Sequence, residues 1–382
     1  MRTITFLQPN RLTFGSGCLT DCIGYVAGLH MAHVHIVSSP SLRILTSEIA
    51  GQLRAAGCTI SIDATISPEP TVSTFHAARA IAHGANTTCV LGVGGGSVLD
   101  IAKLVAAFID SKQKIEETFG TGLLQGRRCH LVCMPTTSGT GSEVSPNAVL
   151  LDEKAKLKKA IISQYLVPDA AFIDPALTLG LPADITANTG LDALTHCIEA
   201  YTSKLAHPLV DGYALQGISS CSRFLARAVQ HGDDIEAREG MSLASLYGGL
   251  CLGPVNTAAV HALAYPLGSE FHVPHGLSNA VLLPHVFRFN AQASPDRHAA
   301  VAVALGVARQ SDDLKTAEAG AVRLGQLAME CGLVTDLTRY GIGRNAIPGM
   351  AKSAMLVTRL LKNNPRAISE QDCIAIYEQC FQ

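Results

Sequence analysis

Short apolar runs alternate with segments of helical periodicity through the first half of the chain, and this alternation restricts the possible folds more than any other feature. The runs typical of strands are HVHIVSS (33–39), TISIDATI (59–66), TTCVLGVGG (87–95), CHLVCMPTT (129–137) and AAFIDP (170–175). Helical segments lie between them, at 42–57, 71–84 and 97–109. Strands that alternate with helices form a mostly parallel sheet with helices on both faces. We therefore predict an α/β fold for this half.

The second half differs, because every segment from about residue 183 has helical periodicity and β-branched runs are few. Pro182 precedes a helix start within LTLGLPADIT (177–186). We predict two domains, an α/β domain at 1–182 and an all-helical domain at 183–382.

Composition excludes several classes of protein. The chain is 48% hydrophobic and 16% charged, which is typical of a globular protein with a large core. A net charge of −2 without blocks of like charge argues against nucleic-acid or anionic membrane partners. The most basic stretch, EKAKLKK (153–159), is typical of a solvated turn. The most apolar region, about 241–268, is interrupted by Gly, Pro, Asn and His and indicates a buried helix.

The cysteines and the N-terminus indicate a cytoplasmic protein. Twelve cysteines occur singly in apolar segments without a CxxC pair, as expected for buried, reduced thiols. The first 17 residues alternate like a strand and lack the apolar run of a signal peptide.

Two loops predict a nucleotide site. LGVGGGSVLDIAK (91–103) places three glycines between a strand and a helix, where free backbone N–H groups favour an anion such as pyrophosphate. It is not a GxGxxG motif, and a ligand-free turn is the alternative. MPTTSGTGSEVSPNAVL (134–150) follows another strand and gathers hydroxyl side chains around two glycines. Two such loops at one edge of a sheet favour nucleotide binding.

Carboxylate and imidazole groups in the second half suggest a metal site. Asp192 and His196 are four residues apart and share one face of a predicted helix. The stretch 260–285 contains His261, His272, His275 and His285. Imidazoles and a carboxylate together bind divalent transition metals. Any one of these histidines alone is more typical of a core residue, and their spacing does not show which of them meet.

These motifs carry a resemblance to a known family. GGGSVLDIAK, PTTSGTGSEVSPNAV, FIDPALTLGLP, TGLDALTHCIEAY, HALAYPLG, PHGLSNAVLLPHV and NPRAISEQD follow one another in the order found in the iron-containing (group III) alcohol dehydrogenases, which include lactaldehyde reductase and 1,3-propanediol dehydrogenase. The resemblance covers nearly the whole chain. It implies a dehydroquinate-synthase-like fold, with NAD(P) in the α/β domain and one divalent metal ion in the helical domain.

The resemblance also implies site residues. The family's metal ligands correspond to Asp192, His196, His261 and His275. Its nicotinamide and pyrophosphate contacts correspond to Gly94, Gly95, Gly96, Ser97, Asp100, Thr136, Thr137 and Thr140. Lys158, or the adjacent Lys159, falls near the nicotinamide ribose. Asn147, counted with the cofactor-binding residues, falls where the family has a residue facing the substrate pocket. Fe²⁺ is the expected metal, and the ligand set also suits Zn²⁺, Mn²⁺ or Ni²⁺.

Two positions depart from the family. Many members read HAxAH where this chain reads HALAY, so Tyr265 replaces a histidine that is a candidate proton relay. The relay can pass through Tyr265, His272, the ribose or water, or Tyr265 only shapes the pocket. NAD-dependent members tend to have an Asp after the second strand, where this chain has Ser39. A serine does not repel a 2′-phosphate, so we expect use of NADP(H) or of both cofactors.

The main functional prediction is hydride transfer between NAD(P)(H) and a small alcohol or aldehyde, with the metal stabilising the alkoxide. The alternatives are a maleylacetate reductase, a dehydroquinate-synthase-like lyase, and a non-enzymatic nucleotide-binding scaffold. The segments near the motifs show no evident carboxylate-binding arginine, which favours a small neutral substrate. We also expect a homodimer or higher homo-oligomer, in which the N-terminal strand pairs across a subunit interface.

Overall fold

The computed structural model describes residues 1–155 and 157–381. The chain divides into two compact units. The α/β unit consists of Phe6–Thr137 and Gly141–Thr178, and the helical unit of Met1–Thr5, Ser138–Thr140 and the residues from Leu179 onward. The domain boundary between residues 182 and 183 stays a prediction.

Strands and helices alternate along the α/β unit. Its strands are β1 (Arg11–Phe14), β2 (Val34–Val37), β3 (Ile60–Asp63), β4 (Cys89–Gly94), β5 (Gly120–Thr121), β6 (His130–Pro135), β7 (Asn147–Asp152), β8 (Leu157–Ile162) and β9 (Ala170–Ile173). Its helices are α1 (Leu19–Gly28), α2 (Arg43–Ala55), α3 (Val72–Gly84) and α4 (Gly96–Phe108).

The main sheet has the strand order β1-β9-β6-β4-β2-β3, and every neighbouring pair in it is parallel. Two apolar clusters cover its faces. Along β4, Val90 belongs to the cluster that contains α3 and α4, whereas Leu91 belongs to the cluster that contains α1 and α2. Alternate residues of a strand point to opposite faces, so an almost continuously apolar strand is buried on both sides. The predicted α/β architecture is thereby confirmed.

A second sheet, in the order β5-β8-β7, was not predicted. β7 and β8 form an antiparallel hairpin, and Leu157 begins β8. The solvated turn expected over 153–159 is therefore only partly right, because Lys158 and Lys159 lie on a strand. The N-terminal strand is shorter than expected: it covers Arg11–Phe14 and pairs with β9 at an edge of the main sheet.

The helical unit contains helices of varied length. They are α5 (Ala183–Thr202), α6 (Pro208–Gln230), α7 (Ile235–Leu252), α8 (Ala259–Phe271), α9 (His275–Ala291), α10 (Pro295–Ala304), α11 (Asp313–Glu330), α12 (Ile347–Met355), α13 (Thr358–Leu361) and α14 (Glu370–Glu378). Polar caps begin several of them. Asp234 accepts a hydrogen bond from the Ala237 N–H at the start of α7, and Ser369 forms a capping box with Asp372 at α14.

Helix α5 lies at the centre of the helical unit, because it packs against α6, α7 and α9. All of its residues from Gly190 to Thr202 are buried, polar ones included. Helix α8 packs against α9, α12 and α13. These packings determine which side chains of α5, α8 and α9 meet.

The cysteines are free thiols, and all of them are buried except Cys58, which is half-buried. In the described part of the chain, no helix has the length and apolar character needed to span a membrane.

Candidate active site

The four side chains predicted as metal ligands come together within the helical unit. Asp192 and His196 lie one turn apart on α5, while His261 lies near the start of α8 and His275 begins α9. The Nε2 atoms of His196, His261 and His275 lie 3.6, 3.4 and 3.5 Å from Oδ1 of Asp192. The rings of His196 and His261 stack with their centroids 4.8 Å apart. Three imidazole nitrogens thus lie close to one carboxylate oxygen, and those of His261 and His275 also lie within 4.8 Å of each other.

Burial and charge make this cluster unusual for a helix core. Asp192, His196 and His261 are buried, whereas the side chain of His275 is 33% exposed. Burial opposes the charged form of Asp192, but the surrounding imidazoles, His196 foremost, outweigh this and hold the pKa of that carboxyl well below its usual range. The cluster is therefore a buried anion that is reached from the His275 side.

The donor set fits a single divalent transition-metal ion. Ligand atoms of Asp192, His261 and His275 all lie within 4.8 Å of one another. Imidazole nitrogens with one carboxylate oxygen suit Fe²⁺ and Zn²⁺. A buried carboxylate facing three imidazoles is also costly unless a cation or protons compensate it.

Glu199 is a further member of the cluster, which the sequence reasoning missed. It lies on α5 and is buried. Its Oε2 lies 2.6 Å from Nδ1 of His261, and its Oε1 accepts a hydrogen bond of 2.6 Å from the Val260 N–H. Burial lowers the pKa of His261, but Glu199 and Asp192 outweigh burial and raise it to about 9. The available signal was a second carboxylate seven residues after Asp192, on the same helix face.

Asn279 was also missed. It lies on α9, one turn after His275, and is fully buried. Its Nδ2 donates a 2.8 Å hydrogen bond to Oδ1 of Asp192 and lies 3.3 Å from Nε2 of His261. The amide therefore holds the Asp192 carboxylate in place. Its spacing of four residues from a candidate ligand was the signal that could have shown it.

Tyr265 and His272, the two proton-relay candidates, have different surroundings. Tyr265 lies one turn after His261 on α8, half-buried, with its ring centroid 6.4 Å from that of His275. Burial raises the pKa of Tyr265, and the nearby Arg359 guanidinium opposes this increase. His272 is exposed and ends α8 with a left-handed backbone. Within residues 1–155 and 157–381, no hydrogen bond, ion pair or ring contact joins His272 to the cluster.

The two predicted nucleotide loops meet at one edge of the main sheet in the α/β unit. β4 and β6 are neighbours, with Gly94 opposite Pro135, and the Thr136 N–H donates to the Gly94 carbonyl at 3.1 Å. A Cβ on Gly94 would lie 2.7 Å from the Val98 side chain, so only glycine lets α4 start this close to its strand. Gly95 caps α4, whose first residues include Gly96 and Ser97. The free N–H groups of this helix start favour an anion.

Asp100 and Asn147 anchor the second loop. Oδ1 of Asp100 accepts from the Ser142 hydroxyl at 2.5 Å, and its Oδ2 accepts from the Val149 N–H at 2.9 Å. The buried Lys103 ammonium donates to the carbonyls of Ser142 and Asn147 at 2.7 and 2.6 Å. Contacts of Asp100 and Asn147 with a cofactor stay predictions, since their described bonds hold the loop itself.

The remaining candidates lie in separate places. Lys158 on β8 forms a 2.7 Å ion pair with Glu69. Ser39 follows β2 and its hydroxyl lies 2.9 Å from that of Ser41. Thr137 is the last residue of the first segment of the α/β unit, and its side chain lies beside Gly95. Thr140 belongs to the helical unit.

Comparisons with known proteins identify the family of the chain. A family model described as iron-containing alcohol dehydrogenase matches residues 9–175, and one described as Fe-containing alcohol dehydrogenase family, C-terminal, matches residues 186–381. The chain belongs to the iron-containing alcohol dehydrogenase family. As such it is an oxidoreductase that interconverts alcohols and aldehydes, and the family implies NAD(H) and a divalent metal, iron.

Similar members of this alcohol dehydrogenase family cover the whole chain or nearly all of it. Long-chain-alcohol dehydrogenase 1 of Geobacillus thermodenitrificans is 38% identical and covers 96% of this chain and 94% of its own. The 1,3-propanediol dehydrogenase of Klebsiella pneumoniae is 36% identical, with coverage of 100% and 99%. The crystal structure of a 1,3-propanediol oxidoreductase has a TM-score of 0.96 at 33% identity and covers 100% of both chains. The maleylacetate reductase and lyase alternatives are not favoured.

Proposed function

We propose that Asp192, His196, His261 and His275 hold one divalent metal ion, with Fe²⁺ the first candidate, in an enzyme that reduces small aldehydes and oxidises the matching alcohols. One observation carries this proposal: three imidazole Nε2 atoms lie 3.4–3.6 Å from a single buried carboxylate oxygen. We also propose that the loops after β4 and β6 hold NAD(P)(H), because their free N–H groups and hydroxyls suit phosphate oxygens.

The side chains prepare the site for this chemistry. When bound, the metal ion supplies a Lewis acid for the substrate oxygen, and the nicotinamide exchanges hydride with the substrate carbon. Asp192 contributes one negative charge and the neutral imidazoles contribute none, so the ligand set leaves positive charge for that oxygen. Glu199 accepts a hydrogen bond from the Nδ1–H of His261, which leaves the lone pair of Nε2 available to a metal ion. Burial of these groups excludes water and strengthens each of these interactions.

We propose that Tyr265 donates a hydrogen bond to the substrate oxygen. Since burial raises its pKa, the phenol keeps its proton at neutral pH and is a donor there, not a base. Tyr265→Phe is therefore expected to lower kcat, and an unchanged kcat would assign Tyr265 to pocket shape alone.

For the cofactor, we propose that the enzyme accepts NADPH as well as NADH. β2 and β4 are neighbouring parallel strands, so Ser39 lies at the same sheet edge as the glycine loop after β4. Its neutral hydroxyl, beside that of Ser41, does not repel a 2′-phosphate. Initial rates with both cofactors test this proposal. Strict use of NADH would contradict it, and Ser39→Asp should shift the preference toward NADH.

Metal analysis of anaerobically purified protein, paired with a panel of small aldehydes and NAD(P)H, tests the proposed function. Asp192→Ala and His275→Ala should each abolish metal binding and reduction. His285→Ala is the matched control, because His285 bonds to Gln379 away from the ligand cluster and should retain the metal. Metal and activity that survive either ligand substitution would refute the assignment.

We propose a homodimer or higher homo-oligomer in the cytoplasm. β1 is an edge strand of the main sheet, and strand edges commonly pair with another chain. Free, buried thiols suit a reducing compartment. Sedimentation analysis with a β1 variant, Leu12→Lys, tests the assembly, and an unchanged oligomer would remove β1 from its interface.

A further inference from the structure

An arginine outside the recognised motifs lies beside the candidate active site. Helix α13 packs against α8 and brings the Arg359 guanidinium near the hydroxyl of Tyr265. Tyr265 in turn lies one turn from His261 and close to His275. Arg359 is therefore separated from the ligand cluster by one phenol side chain.

Arg359 has no carboxylate partner within the ranges that the structure describes. It is half-buried, so its charge is only partly solvated. Arg297, another half-buried arginine of the helical unit, is by contrast paired with Asp211 at 2.6 Å and lies over the Tyr201 ring. A partly buried guanidinium with a neutral phenol as its neighbour retains donors for a carboxylate or similar oxyanion.

The net charge near Arg359 also favours the binding of an anion. Asp192 and Glu199 carry the anionic charge of the cluster, and a divalent ion held there balances both of them. Arg359 then leaves an excess of positive charge one phenol side chain away from the ligand cluster. Such a field attracts an anion and fixes its orientation.

We propose that Arg359 selects substrates that carry an anionic group, so that the enzyme acts on aldehydes bearing a carboxylate or a comparable oxyanion at the end remote from the reacting carbon. This inference rests on the proposed metal site and deepens it by naming the substrate class. It replaces the expectation of a small neutral substrate, which depended on the absence of an arginine near the motifs. Arg359 is a specificity-determining residue in this scheme, with Tyr265 supporting its guanidinium.

The test compares 4-oxobutanoate with its methyl ester, which keeps the aldehyde and the chain but removes the charge. With metal-loaded enzyme and saturating NADPH or NADH, kcat/KM for the acid should exceed that for the ester by at least about 10-fold, the value of one charged hydrogen bond. Arg359→Gln should lower this acid-to-ester ratio on the order of 10- to 100-fold. Arg359→Lys should keep part of it, because it retains charge without the planar fork.

Lys362→Ala is the matched control. Lys362 is an exposed cation three residues from Arg359, so it reports general attraction of anions to this surface. Its removal should leave the ratio unchanged. A wild-type preference for the ester, or a ratio that Arg359→Gln does not move, would overturn the proposal.

A binding measurement separates this inference from the proposed reaction. Calorimetry with 4-hydroxybutanoate and metal-loaded protein should show binding that Arg359→Gln loses and Lys362→Ala keeps. If that binding is present while no aldehyde is reduced, the proposed activity fails and the anion site stands. If neutral aldehydes are reduced but the acid neither binds nor reacts, the proposed activity stands and the anion site is refuted.

Discussion

Replacement of Glu199 by Gln tests how the protein prepares His261 as a ligand. Glu199 accepts two hydrogen bonds of 2.6 Å, one from the Val260 N–H and one involving Nδ1 of His261. A glutamine of the same size has one acceptor oxygen. Its amide group must therefore face one of these two donors, and if it faces Nδ1 the His261 proton moves to Nε2, the atom that should bind the metal.

The size of the effect follows from these two bonds. A hydrogen bond to a charged group contributes about 1.5–3 kcal/mol and a neutral one about 0.5–1.5 kcal/mol, so loss of the Glu199 charge costs about 1–2 kcal/mol. That free energy corresponds to about 5- to 30-fold weaker metal binding. One of the two donors loses its acceptor in the glutamine variant, so the loss of metal affinity should lie in the upper part of this range. Substitutions of a residue that hydrogen-bonds to a metal-bound histidine typically weaken metal binding roughly 10- to 100-fold.

Anaerobic competition between the protein and a chelator of known affinity measures this Kd with Fe²⁺ or Zn²⁺, independently of catalysis. Glu318→Gln is the control, because Glu318 is an exposed glutamate paired with Arg288. Its Kd should equal that of the wild-type protein. A Kd for Glu199→Gln within threefold of the wild-type value would refute the idea that Glu199 orients His261.

Three further predictions concern stability. Gly94→Ala should destabilise the fold by about 1–3 kcal/mol, because the new Cβ would lie 2.7 Å from Val98, and denaturant unfolding measures this loss. Lys103→Met should cost about 1–3 kcal/mol per buried acceptor left unpaired, the Ser142 carbonyl among them, and should lower Tm. Burial lowers the pKa of His298 to about 4, so its neutral form stabilises the fold above pH 6.5, and that contribution is lost as pH falls toward 4. In the wild-type protein, this titration should lower the free energy of unfolding by about 3 kcal/mol between pH 6.5 and pH 4. His298→Gln should remove that decrease from unfolding curves measured between these pH values.

The α/β unit was predictable because its burial pattern is local. β2 and β4 are buried along their length and apolar except for His35, and glycines or hydroxyl-rich loops follow them, so periodicity separates these strands from helices. The β7–β8 hairpin was not predicted, since lysines at 158 and 159 suggest solvent. Lys158 pairs with Glu69, which is distant in sequence, and Lys159 pairs with Asp152 across the hairpin turn. Such pairings have no local signature.

In the candidate site, too, some residues could be predicted from local sequence and others could not. Asp192 and His196 are recognisable because both lie on one helix at a spacing of four residues. Glu199, Asn279 and Arg359 each act on a side chain of another helix, so their roles depend on helix packing that spacing does not encode. Arg359 is the extreme case, because α13 is a single short turn outside every recognised motif.

The polar side chains of α5 also connect binding with stability. Asp192, His196 and Glu199 are buried along one helix that packs on three others, and each exposes 5% or less of its surface. Buried charges of like sign destabilise a core unless protons or a cation compensate them. Without a cation, Glu199 and Asp192 raise the pKa of His261 to about 9, so a proton on that ring offsets part of their negative charge. A metal ion must displace this proton, so ligand geometry and core stability depend on the same few contacts. Substitutions that improve the metal-free core, such as apolar replacements on this face, should therefore weaken metal binding.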